Sequence, residues 1–165
     1  MEVEKVLKEI DELQEKIKDA QKSYVKVGVL GNSEERSDDS GRTNLEIANL
    51  HEFGGVNPDG SVVPARSFLR LTKAMKEKDF AAFVQANLTK FKLVVMTQGI
   101  EVALDEIGRY WVDEVLKTFQ AQGYGEWAPL SPKTLELRRE KGNETDTILT
   151  VTGALKRAIT FEVVK

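Results

Sequence analysis

The sequence predicts an α+β fold: a small antiparallel sheet packed with two long helices, preceded by an amphipathic amino-terminal helix over residues 1–22, with 23–165 as a single domain. Three observations lead there. Two short segments near the ends of that domain alternate apolar and polar groups at the period of a half-buried strand. Between them, long stretches repeat apolar groups every three or four residues, which is helix period. The 165 residues also suffice for one core, because a chain of that size buries roughly 70% of the surface it exposes when unfolded.

Val3, Val6, Leu7, Ile10, Leu13 and Ile17 form the stripe of the first helix, supported by Glu4 with Lys8 and Glu12 with Lys16 at i, i+4. Packing of this stripe on its own domain is the expectation; a neighbouring subunit is the alternative. Val25, Val27 and Val29 place a strand at Tyr24 to Leu30. Gly31 to Arg42 is polar and reads as a mobile loop, in which Asp38 and Asp39 lack the spacing of a Ca²⁺ loop. Thr43 with Glu46 fits a capping box that opens a short helix to Phe53, and Gly54 stops it with left-handed geometry. Asn57-Pro58-Asp59-Gly60 is turn chemistry, after which Val62 and Val63 run extended into Pro64. Pro64 is then expected as the first residue of a helix, with Arg66, Arg70 and Lys73 on one side and Phe68, Leu71 and Met75 on the other.

Asp79 is expected to cap a second helix carrying Phe80, Phe83, Val84, Leu88, Phe91 and Val95. Another takes Ile100, Ala103, Leu104, Ile107, Trp111 and Val115 on one face, and these two helices are expected to supply the core. Trp111 reads as packing, and Gly108 as close approach of another backbone. Gln122 to Trp127 is a loop; Ser131-Pro132 is an N-cap followed by proline at the first helical position, opening a helix through Arg139. Lys141 to Thr147 is polar, Ile148 to Val151 extended, and Thr152-Gly153-Ala154-Leu155 opens about one helical turn. Ile159, Phe161 and Val163 alternate as a closing strand that pairs with Tyr24 to Leu30.

Composition narrows the chemistry. The absence of cysteine excludes disulfides and thiolate metal sites and suits a reducing cytoplasm. The first twenty residues lack the unbroken apolar run of a signal peptide, and no run approaches the ~20 residues of a membrane span. His51 is the sole histidine, and it lacks both a triad and the second histidine of H-E-x-x-H. Gly123-Tyr124-Gly125 lacks the lysine and helix of a phosphate loop, and the carboxylates Glu34, Glu35, Asp38 and Asp39 sit in a polar segment with nothing to desolvate them. No catalytic, cofactor or metal residue is therefore assigned. Residues 31–60 hold seven acids and two bases, whereas 64–98 hold seven bases and two acids. The split reads first as solvated surface and the stripe as a face that keeps its helix in water; the sharper alternative is that opposite patches favour head-to-tail association of copies and that the stripe grips a phosphate backbone without reading sequence.

Four segments carry a resemblance. Ile47-Ala48-Asn49-Leu50-His51-Glu52-Phe53-Gly54 and Val63-Pro64-Ala65-Arg66-Ser67-Phe68-Leu69 resemble the "H-E-F-G … I-P-A-R-P-F" core of tailed-phage virion morphogenesis proteins, also called tail completion proteins. Trp127-Ala128-Pro129-Leu130-Ser131-Pro132 with Thr134, and Ile148 to Leu155 through Thr152-Gly153, are similar to the family's "W-x-P-L-x-x-x-T" and "L-x-x-T-G-x-L" segments. They follow in the family's order over residues 44–160, with Ser67 where the pattern often has proline. The resemblance implies a non-enzymatic structural subunit of the virion neck or tail end, assembled in the host bacterial cytoplasm, that completes the tail and stabilises head-tail joining. It implies copies of itself in a ring as partners, with the head-tail connector, tail tube or tail terminator as neighbours, non-specific proximity to DNA in the channel, and no membrane. His51, Glu52, Phe53, Gly54, Pro64, Ala65, Arg66, Phe68, Arg70, Lys73, Trp127, Leu130 and Gly153 are the motif and subunit-contact candidates. The alternative is a small metal-dependent hydrolase or nuclease of a mobile element, with His51, Glu52 and a loop aspartate around the ion.

Overall fold

The computed structural model describes residues 2–31 and 41–165. The chain is α+β. In order it forms α1 (Glu2–Lys22), β1 (Tyr24–Val29), α2 (Asn44–Phe53), β2 (Gly55–Val56), β3 (Val62–Val63), α3 (Leu69–Ala86), α4 (Leu88–Gln98), α5 (Ile100–Gln120), a 3-10 turn (Gln122–Gly125), α6 (Pro132–Glu140), α7 (Ala154–Arg157) and β4 (Ile159–Val164). The closing strand β4 pairs with β1, as its alternation predicts, and β2 pairs antiparallel with β3, Gly55 opposite Val63. Most of the polar segment at 31–42, including both aspartates considered for a cation, lies outside the described residues. Contacts divide the chain into two compact units. One comprises Met1–Val27, Glu77–Trp111 and Phe161–Lys165; the other comprises Gly28–Lys76 and Val112–Thr160.

In the first unit, among the described residues, the stripe of α1 meets its own domain only towards its carboxyl end. There Leu13, Ile17 and Ala20 border an open groove with Val95 and Met96 of α4, and the Lys16 ammonium donates to the Met96 carbonyl at 2.6 Å. No helix starts at Asp79, because α3 continues through it to Ala86. The break falls at Asn87, whose side-chain amide donates to the Phe83 carbonyl at 2.8 Å. An asparagine that hydrogen-bonds backbone in this way competes with helix continuation. Phe80, Phe83, Phe91, Tyr110 and Trp111 pack together, with the Phe83 and Tyr110 rings stacked 4.5 Å apart and Trp111 5.0 Å from Phe80. Trp111 is thus a packing residue. Gly108 does mark a close approach, but of a ring rather than a backbone: a Cβ there would stand 2.2 to 2.7 Å from Phe161.

The second unit is built on Phe68, Phe119 and Trp127, with Val29, Ala48, Val115, Leu155, Ala158 and Ile159 completing its core. Phe68 and Phe119 lie 5.1 Å apart, and Trp127 meets Phe119 edge-on at 5.7 Å. Within the core the Thr72 and Thr118 hydroxyls satisfy each other at 2.6 Å, as buried polar groups must. Ser131 caps α6 by accepting the Thr134 amide, with Pro132 in the first turn. Ile148 to Val151 is not extended. It is a turn in which Leu149 adopts φ of +58°, and the Ile148 amide donates to the Gln122 side chain at 2.6 Å.

Candidate functional site

Helix α2 starts as its sequence predicts, with the Thr43 and Glu46 side chains each reaching the other's backbone amide. Its buried residues are nevertheless Asn44, Ala48 and Glu52, spaced i, i+4, i+8, while Phe53 is 64% exposed. The buried side of α2 is therefore not the side of its large apolar residue Phe53, and a carboxylate stands on it. A buried carboxylate persists only where donors converge on it.

They do so here. One Glu52 oxygen accepts the amides of Phe68 (2.9 Å) and Leu69 (3.0 Å); the other accepts the Ser67 hydroxyl (2.6 Å), the Arg70 amide (3.0 Å) and Arg70 Nε (3.1 Å). These amides open α3, so an acid sixteen or more residues back in the chain caps the helix and complements its dipole. This explains why α3 begins at Leu69 rather than at Pro64, which with Ala65 lies exposed in the connecting segment. Burial pushes the Glu52 carboxyl upward, but the bonds from Ser67 and the amides of Leu69, Arg70 and Phe68 outweigh it and hold the pKa below the ordinary value.

Gly54 ends α2 at φ 73° and ψ 176°, a region reserved for glycine and different from the left-handed cap expected. A Cβ would also stand 2.9 Å from the Ala65 nitrogen and 3.0 Å from the Val63 oxygen, because β3 and its continuation run back along the end of α2. There the Arg66 amide donates to the His51 carbonyl at 2.7 Å.

Arg66 does not lie on a basic helical stripe. It precedes α3, is 6% exposed, and donates through Nε and Nη2 to the carbonyls of Ala128 (2.7 Å) and Pro129 (2.9 Å). Burial, and then the Arg138 charge, draw its pKa down. Trp127 Nε1 donates to the Ser67 carbonyl at 2.9 Å, and its indole lies where a Gly123 side chain would be, within 2.3 to 2.5 Å of the Cβ position. Gly123 is required there for that reason as well as for its φ of +69°. Arg70 arches over the Phe53 ring at 4.6 Å and also donates to the Glu52 carbonyl. Only Lys73 of the three bases is an exposed cation outside this network, and Met75, expected on the apolar back, is 51% exposed.

Three of the four resembling segments thus meet in one brace, and the fourth closes a cavity beside it. Ile47, His51, Arg66, Leu130, Arg138 and Gly153 are among the residues that line this space of about 220 Å³. Arg138 holds its far wall by donating to the Thr145 (2.9 Å) and Thr147 (3.0 Å) carbonyls. Sequence reasoning named most of these residues yet missed their roles, along with Thr72, Thr118, Gly123 and Arg138. The converging groups are backbone amides and carbonyls with the side chains that satisfy them. Among the described residues, no group of three His, Asp or Glu side chains is placed to hold a metal ion, and no helix is long and apolar enough to cross a membrane. Comparison of the chain with protein-family models, curated proteins and solved structures finds no match.

Proposed function

We propose that this chain is a non-enzymatic structural subunit of a tailed-phage neck or tail end. It completes the tail and stabilises head-tail joining as one of several copies in a ring, next to the connector, tail tube or tail terminator, after assembly in the host cytoplasm. The observation that carries the reading is the convergence of the four segments resembling the tail completion family. Residues 47–54, 63–69 and 127–134 are distant in sequence, yet the Glu52, Arg66 and Trp127 side chains each bond to the backbone of another of these segments, and 148–155 lines the cavity beside them. A shared scaffold explains why these residue types recur together without a nucleophile or base. The surface then offered to a neighbouring subunit is the outer side of the same stretch, where Phe53, Val56 and Val62 are 64%, 65% and 76% exposed, together with the exposed Lys73 of α3. Arg66, being internal, is withdrawn from that surface.

The test is electron microscopy of lysates from a phage or prophage that encodes the chain with a stop codon at Trp111. Full heads beside unattached tails are expected, and altered tail length would assign termination specifically. Normal infectious particles would refute the reading.

A further inference from the structure

The amino-terminal half of α1 carries an exposed apolar face. Val6, Leu7 and Ile10 are 49%, 55% and 44% exposed. The carboxyl half presents the complementary feature, an open groove of about 250 Å³ between Leu13, Ile17 and Ala20 on one side and Val95 and Met96 on the other. Val3, Val6, Ile10, Leu13, Ile17 and Ala20 alternate spacings of three and four, the a and d positions of a coiled-coil seam.

Charge selects the occupant and its direction. Residues 2–15 of α1 carry six acids and two bases, and residues 16–22 carry three bases and one acid. A parallel partner would lay acid on acid. In an antiparallel copy residues 2–7, with two acids and one base, lie on residues 16–21 of the other, with two bases and one acid, while 8–15 lies opposite itself. In the register that keeps every layer apolar, Val6 faces Ile17 of the second copy and Ile10 faces its Leu13. Glu9 and Lys16, which flank the seam at g positions, then form two reciprocal ion pairs.

We propose that α1 pairs antiparallel with α1 of a second copy, the exposed amino-terminal half of each seated in the groove between α1 and α4 of the other. This contact is two-fold and self-matching, so it is separate from the head-to-tail contact that closes a ring and does not rest on the phage reading.

Because the chain has no cysteine, the geometry is testable by disulfide formation in the full-length protein. Positions 6 and 17 are roughly 16 Å apart along one helix, whereas a disulfide needs Cα atoms about 4.4 to 6.8 Å apart. The Val6→Cys/Ile17→Cys variant is expected to give a covalent dimer on mild oxidation, while Val6→Cys and Ile17→Cys alone do not. Crosslinking by either single variant would show a parallel pair and overturn the proposal. In sedimentation velocity the unmodified chain is expected to associate in even-numbered steps. Ile10→Glu, outside the groove of its own copy, should abolish that step with unchanged circular dichroism. Glu9→Lys should weaken it at least tenfold and Glu9→Lys/Lys16→Glu should restore it. A chain that sediments as a monomer at high micromolar concentration, without a crosslink in the double variant, would overturn the inference.

Discussion

Glu52 joins the end of one helix to the start of another. Replacing it with alanine leaves the amides of Phe68, Leu69 and Arg70 without their acceptor, at a cost of about 3 kcal/mol, read as a lowered midpoint in urea. Because the folded pKa lies below the unfolded one, the carboxylate contributes stability that is fully present above the unfolded value. That contribution is lost as pH falls through the folded value. Acid unfolding of the native chain should therefore show an excess slope below about pH 4.5, and Glu52→Gln should remove that part of the slope. Arg66 makes the opposite point about charge. Its guanidinium is needed for a fork of donors to Ala128 and Pro129, so Arg66→Lys, which cannot supply the same planar fork, should still destabilise by roughly 1 to 3 kcal/mol. Equal stability of Arg66→Lys and the native chain would show that charge alone suffices. Neither role was legible in the sequence, because both partners lie far along the chain and only their juxtaposition gives the residues work to do.

Elements whose ends are set by neighbouring residues were legible, and those set at long range were not. The Thr43-Glu46 box and the Ser131-Pro132 start predict α2 and α6 correctly because cap and capped amide lie within four residues. The start of α3 was misplaced by five residues since its cap comes from α2, and proline chemistry at Pro64 was the local signal left to follow. Ile148 to Val151 misled similarly, its apolar run suggesting a strand where Gln122 pins a turn. Gly108 shows what periodicity does foretell. A glycine inside a strong helical stripe signals a close neighbour, here the Phe161 ring. Gly108→Ala should accordingly cost stability despite alanine's better helix propensity, which alone favours it by about 1 kcal/mol. If the ring is the cause, Phe161→Ala in the same chain will shrink the penalty of the alanine, and a double-mutant cycle in urea measures the coupling. A Gly108→Ala variant more stable than the native chain would remove the ring from the account.

At the scale of the whole molecule, the charge asymmetry between residues 31–60 and 64–98 loses its simplest interpretation. Arg66 lies inside and Arg70 bonds to the Glu52 carboxylate, so the stripe imagined along one helix face reduces to the exposed Lys73. Charge reversal consequently separates into two kinds of outcome. Arg66→Glu would place a carboxylate against the Ala128 and Pro129 carbonyls and should unfold the second unit, which says nothing about assembly. Val62→Asp and Lys73→Glu change exposed groups, for which the folding cost should stay within about 0.5 kcal/mol. If Phe53, Val56, Val62 and Lys73 form the contact between neighbouring copies, the Val62→Asp/Lys73→Glu chain will melt like the native one. It will nevertheless fail to enter particles when supplied to a phage lacking its own copy, because a buried aspartate and a reversed charge oppose the same interface. Native-like melting with normal incorporation and infectivity would place the subunit contact on another face of the molecule.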